Sequence, residues 1–199
     1  TILTPGIGFI KKVIVNILLQ LERICQLIWP QWNGLTSIFV KKQLNLEIIE
    51  KTTGKMPKRW GKSRNITASY GYGVSVTAMH LIEAVSALIN DRGYIPATLI
   101  KYKNKDMIGE AIISDDTKII LRDLLRKVVE KGTAKKADAK GYHVGGKTGS
   151  ANMVGKTGYD EDRLLSSFLG IFPANKPQFL IYVFLQEPKG IEETAGYAT

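Results

Sequence analysis

The chain is poor in the residues that build disulfide and metal frameworks. Its one cysteine, Cys25, has no second thiol to pair with, and the two histidines, His80 and His143, cannot furnish a zinc site by themselves. No cofactor and no metal are therefore expected. A run of 18–20 uncharged apolar residues is also missing. The longest apolar stretch, Val13 to Leu21, is bounded by Lys11-Lys12 and Glu22-Arg23, is interrupted by Asn16 and Gln20, and is too short to cross a bilayer. Thr1 to Pro5 show no basic region and no small-residue cleavage site, so neither signal nor anchor is expected of these residues. No repeat or low-complexity segment occurs. None of the nine serines has a lysine three residues later, so the Ser-x-x-Lys arrangement that activates a serine nucleophile is lacking.

What is present is ordinary for a packed chain. The 199 residues are 44% hydrophobic and 23% charged, enough for one domain or a large part of one. The opening without Met and the uncapped ending at Thr199 lead us to expect a fragment. The net charge of +10 and pI near 9.6 invite a nucleic-acid reading. The distribution argues against it. Residues 1–63 hold ten basic and three acidic side chains, whereas 64–199 hold eighteen and fifteen. No aromatic residues are interleaved with the basic pairs as a base-stacking surface requires. We expect no nucleic-acid partner.

Apolar spacing predicts an amphipathic helix over residues 10–28, with Cys25 in its stripe and Pro30 ending it. Such a basic helix also offers an alternative reading, a non-enzymatic fragment that meets a membrane or partner through residues 7–29. Residues 51–57 read as an exposed loop. A second helix is predicted from Thr77, as N-cap, to Asp91, with Met79, Ile82, Val85, Leu88 and Ile89 as its stripe and Gly93 as its stop. Tyr94 to Ile100 reads as a short extended piece. Ser114 caps a third helix with Asp115 and Asp116 in its first turn. Ile120, Leu121, Leu124, Leu125, Val128 and Val129 line its core face, and Gly132 ends it. A basic loop over 133–140 then leads into strands at Tyr142–Gly149, Leu164–Phe172 and Phe179–Leu185. The turn Pro173–Pro177 makes the last two an antiparallel hairpin. Helices first and a strand meander afterwards mean α+β. His80 is expected on a helix surface, His143 in a loop, and Arg163 with Asp160–Asp162 in a solvated turn.

Gly141-x-x-x-x-Gly146-Lys147-Thr148 satisfies the phosphate-loop pattern letter for letter. That pattern works when a buried strand precedes it and a helix follows. Here a solvated Lys/Ala-rich loop precedes it and a glycine-rich stretch follows, so a nucleotide site is not expected. The alternative is the Lys-Thr-Gly strand of serine acyl-transfer enzymes. A lysine beside a cleft supplies a fixed charge to a substrate carboxylate, and Gly149 lets the backbone approach closely. The Ser150 hydroxyl can bond the same carboxylate, while its N–H can face a developing oxyanion.

The surroundings of this motif carry a resemblance. Ser69 to Thr77, Ala84 to Asn90, Tyr94 to Ile100, Gly132 to Ala137, Gly145 to Gly149, Leu165 to Pro173 and Glu187 to Thr194 follow in order. From Thr53 onward the chain resembles the C-terminal part of the transpeptidase domain of class B penicillin-binding proteins, especially the cell-division type. The resemblance implies a partial penicillin-binding/β-lactamase-like α+β fold, with helices packed on an antiparallel sheet. It implies a peptidoglycan stem peptide and β-lactams as ligands, division-complex proteins as candidate partners, and a place at the periplasmic face of the bacterial cytoplasmic membrane. Membrane contact would then come only through a parent N-terminus. The substrate-binding residues implied are Lys147, Thr148, Gly149 and Ser150: Lys147 and Ser150 on the carboxylate, Thr148 and Gly149 shaping the strand.

The departures are as informative. In the family the Ser-x-x-Lys nucleophile lies upstream of everything matched here, so this chain is expected to be catalytically incomplete, with no catalytic residue of its own. Counting back from Lys147 places the Ser-x-Asn motif over residues 9–16, where no serine occurs. Ser150 stands where a threonine is usual, retaining the hydroxyl. The helix expected to cover the sheet would lie beyond Thr199. Residues 1–52 are read as an unmatched basic segment, with 1–45 showing no resemblance, and 53–199 as the transpeptidase part; a frame change or a different start is the expected origin of that boundary. With cover missing, Phe168, Ile171, Phe179, Ile181, Val183 and Leu185 are expected to be partly exposed and the isolated chain to be poorly soluble.

Overall fold

A computed structural model describes residue 46 and residues 76–101, 108–155 and 159–189. The expected helix over 10–28 with Cys25, the loop over 51–57 and the stretch 9–16 lie outside the described residues.

The first described helix, α1 (Ala78–Ile89), starts where its sequence says it should. Thr77 is extended, and its side chain accepts the His80 N–H at 3.2 Å. His80 Nδ1 reaches back to the Thr77 hydroxyl at 2.7 Å, closing a reciprocal cap. This turns the imidazole inward. His80 is 2% exposed, not on the surface as expected, because its ring is consumed in the cap. The helix ends at Ile89, before Asp91, because Asn90 takes over the chain: its side chain accepts the Arg92 N–H at 2.7 Å and donates to Gly93 O at 3.0 Å. Gly93 has φ +78°, and a Cβ there would overlap the Glu110 carbonyl, so the stop expected of it is enforced twice.

The helix is buried on more than one side. Leu81, Val85, Leu88 and Ile89 enter the main core, while Ala84 and Ala87 pack under Tyr94 and Ile112. Met79 and Ile82 of the expected stripe are half-buried. Glu83, which the apolar pattern passes over, is buried and accepts the Ala97 N–H at 2.7 Å and the Tyr94 hydroxyl at 3.2 Å. It pins the extended 94–97 segment to α1. Burial and the neighbouring Glu83 carboxylate push the Tyr94 phenol up to about 12.

The second helix, α2 (Asp115–Lys131), has the expected limits. Ser114 accepts the Thr117 N–H at 3.3 Å, and Gly132 closes on Val128 O at 3.0 Å. Leu121, Leu125 and Val129 are buried, but Ile120 is 50% exposed, contrary to its expected place on the core face. Lys118 and Arg122 are buried there instead. Arg122 Nε donates to Ile89 O at 2.7 Å, and the guanidinium also reaches Asp91 Oδ1 at 2.6 Å. It satisfies a carbonyl that the end of α1 would otherwise leave open. Its hydrogen bond, and then its charge, hold the Asp91 carboxyl below the usual carboxylate range. The buried face of α2 runs through 118, 121, 122, 125 and 129, and Ile120 falls to one side of it.

Three antiparallel strands follow: β1 (Gly145–Val154), β2 (Tyr159–Phe172) and β3 (Phe179–Gln186), in the order β1-β2-β3. Gly146 pairs with Gly170 and Thr148 with Phe168, and the register shifts between Asn152 and Met153. The β2–β3 hairpin forms as expected, with Phe172 opposite Phe179. β2 begins earlier than expected, at Tyr159, because pairing with β1 continues past the shift. Arg163 is thus part of a strand and bonds Glu187 at 2.5 Å, so the expected solvated turn is corrected.

Ala151, Leu165, Leu169 and Ile171 face α1 and α2 and form the main core. On the opposite side the Phe168 ring lies over Gly146 and Gly170, where any Cβ would collide with it. Val129, Ala134 and Val144 close over that ring. Phe168 and Ile171 are therefore buried, not partly exposed as expected. Phe179, Ile181, Val183 and Leu185 are exposed as expected, Phe179 at 59%. Arg126 fixes the end of α2 to the sheet, donating to Glu130 at 2.9 Å, Asp138 at 2.8 Å and Val144 O at 2.7 Å.

Candidate functional site

Gly146-Lys147-Thr148 lies inside β1, which excludes the helix-headed phosphate loop that the same letters could have formed. Alternate residues of a strand face opposite sides. Lys147 and Gly149 therefore share the helix-facing side with Ala151, while Thr148 and Ser150 share the other side with Asn152. β1 is an outer strand of the sheet among the described residues.

Lys147 is half-buried, and its Nζ donates to Thr148 O at 2.8 Å. No ion pair joins it to a carboxylate among the described residues. Burial pulls its pKa below the usual lysine value because desolvation penalises the charged form. A half-desolvated ammonium without a counter-charge is poised to gain from an arriving anion.

Gly149 pairs with Ser167, and Ser150 with Ser166; both β2 serines are buried. The Ser167 hydroxyl and the Tyr182 phenol make no hydrogen bond of full geometry among the described residues. Burial pushes Tyr182 up to about 12, with the nearby Ser167 hydroxyl pulling the other way. Thr148 is buried, and its Oγ1 lies 2.8 Å from Thr133 Oγ1. Thr133 was not singled out in the sequence except within the block Gly132–Ala137; no spacing rule connects it to a residue fifteen positions on. His143 is exposed in a loop, as expected, with φ +51°.

The four expected binding residues are thus contiguous on one strand but divided between its sides. Lys147 and Ser150 do not share a face. A ligand that meets both must straddle the strand, whereas Thr148 and Ser150 can act together on one side. Chemically the strand offers one cation, two hydroxyls and a small residue at which backbone can be approached.

The model of the penicillin binding protein transpeptidase domain matches residues 33–199, so the match begins upstream of Thr53, inside the stretch where the sequence shows no plain resemblance. Stage V sporulation protein D of Bacillus subtilis is 36% identical over 150 residues, covering 70% of this chain and 23% of that protein. The peptidoglycan D,D-transpeptidase FtsI of Escherichia coli is 27% identical over 151 residues, covering 74% and 26%. The apo transpeptidase domain of penicillin-binding protein 3 from Burkholderia pseudomallei superimposes with a TM-score of 0.71 at 31% identity, covering 79% of this chain and 49% of that one. The chain therefore spans about a quarter of the length of these curated relatives and about half of the solved domain.

Proposed function

Since the chain belongs to the penicillin-binding protein transpeptidase family, and its helices and antiparallel sheet form part of that α+β fold, we propose that β1 is the carboxylate-binding wall of a peptidoglycan D,D-transpeptidase site. Lys147 supplies the charge for the terminal carboxylate of a stem peptide or for the carboxylate of a β-lactam. Ser150 adds a hydroxyl, and its N–H is one donor to the oxyanion of the acyl-transfer step. Thr148 and Gly149 shape the strand between them. The observation that carries this reading is the half-buried Lys147 ammonium, which has no carboxylate partner among the described residues.

The nucleophile belongs to a Ser-x-x-Lys motif that this sequence does not contain. These 199 residues alone bind without acylating. The domain division we propose is a basic N-terminal segment over 1–52 and a transpeptidase part over 53–199, the family match itself reaching back to residue 33. Division-complex proteins as partners, and action at the periplasmic face of the bacterial membrane, belong to the same proposal. No helix among the described residues is long and apolar enough to cross a membrane.

Incubation of the purified chain with a fluorescent penicillin, followed by denaturing electrophoresis, is expected to show no covalent label. NMR titration with N-acetyl-D-alanyl-D-alanine is expected to shift the amides of 147–150. Labelling would overturn the incomplete-site reading, and unmoved β1 amides would overturn the carboxylate role.

A further inference from the structure

The contact between Thr133 and Thr148 joins a loop to the substrate strand, and the loop is held firmly for the purpose. Gly132 N–H and Ala134 N–H both bond Val128 O, at 3.0 and 3.2 Å, and Ala137 N–H bonds Ala134 O at 3.0 Å. Ala134 is 0% exposed. Thr133, exposed itself, is thus fixed between anchored neighbours with its Oγ1 2.8 Å from Thr148 Oγ1.

Each hydroxyl has one proton to give and two lone pairs to accept with. If Thr148 donates to Thr133, it has nothing left for an anion. If Thr133 donates to Thr148, the Thr148 proton is available elsewhere. Thr148 is 5% exposed, so little water competes for its hydroxyl, whereas exposed Thr133 can turn its lone pairs to solvent in either arrangement. A carboxylate accepts and never donates, so its arrival selects the second arrangement. Residues two apart on a strand stand roughly 6.5–7 Å from one another. A carboxylate taking one hydroxyl on each oxygen, at roughly 2.7 Å apiece, bridges about that gap. Ser150 shares the side of Thr148 and supplies the second hydroxyl.

We propose that Thr133 is a positioning residue: by donating to Thr148 it aims the Thr148 proton at the substrate carboxylate and so sets the preference of the strand for a free acid over a neutral C-terminus. This rests on the reading of β1 as the carboxylate-binding wall. The ligand class is peptides ending in a free carboxylate, with β-lactam carboxylates in the same place.

The test is NMR titration of the full chain with N-acetyl-D-alanyl-D-alanine and with its C-terminal amide. The acid is expected to bind about tenfold more tightly, as charge-assisted bonds require. Thr133→Val should weaken the acid about fivefold, the worth of one hydrogen bond, and leave the amide unchanged. Thr133→Ser should restore the acid preference. A merely structural Thr133 would weaken both ligands alike, and that outcome overturns the inference. An unchanged preference in Thr133→Val, alongside its loss in Lys147→Ala, overturns the inference while the carboxylate reading stands. No acid preference in the parent chain overturns both.

Discussion

The junction of α1, α2 and β1 contrasts with the outer side of β3. At the junction, charged and polar groups are closed by specific partners: Arg122 by Ile89 O and Asp91, Glu83 by Ala97 and Tyr94, Arg126 by Asp138 and Val144 O. Beneath them lies a core in which Leu169 and Ile171 are fully buried. On β3, Phe179, Ile181, Val183, Phe184 and Leu185 stand exposed. One region has its complement within these residues; the other presents an apolar surface of the kind that proteins normally cover. The candidate carboxylate strand belongs to the first, so its geometry is set by contacts already made.

That contrast can be broken by mutation. Leu169→Ala should have the largest effect, about 3 kcal/mol of lost stability, since the leucine is wholly enclosed and the site has little freedom to collapse. Urea denaturation measures it, and a loss under about 1 kcal/mol would mean that the junction is not a packed core. Arg122→Ala comes next, at about 2 kcal/mol, because it leaves the buried Ile89 carbonyl without its donor. Asp91 is largely exposed, so its share is smaller. Its folded pKa lies below the ordinary 3.8, so its stabilisation is present above that value and lost as the pH falls through the lower, folded one. Asp91→Asn should therefore lose a small amount of stability near neutrality, and the two proteins should converge as the pH falls below the folded pKa. Val183→Lys on β3 should change stability least, within about 0.5 kcal/mol, while reducing concentration-dependent association measured by light scattering. A cost rivalling that of Leu169→Ala would erase the distinction between the regions.

Much of the backbone was legible because its signals are short-range. Thr77 and Ser114 cap helices through bonds to residues three positions on, and Gly132 ends α2 against Val128. The Pro173–Pro177 turn foretold the hairpin, and the Lys-Thr-Gly motif marked the strand on which the proposed site is built. The misreadings concern cover. Ile120 has the spacing of a core residue yet is exposed, because the face that packs runs through 118, 121, 122, 125 and 129 and leaves it to one side. His80 looked like a surface residue until its ring closed the α1 cap. Phe168 looked exposed until the chain after α2 folded over it.

Local order, namely where helices start and where the hairpin turns, follows from bonds between near neighbours, and the amino-acid pattern foretold most of it, though not the end of α1 or the start of β2. Which face is sheltered, and which hydroxyl meets Thr148, depends on groups brought together from distant parts of the chain. Thr133 and Thr148 meet because the Val128 carbonyl holds the turn after α2 while Arg126 ties α2 to Val144 beside β1. No periodicity encodes that encounter, since it arises from the packing of elements whose types, though not all of whose limits, the sequence foretold.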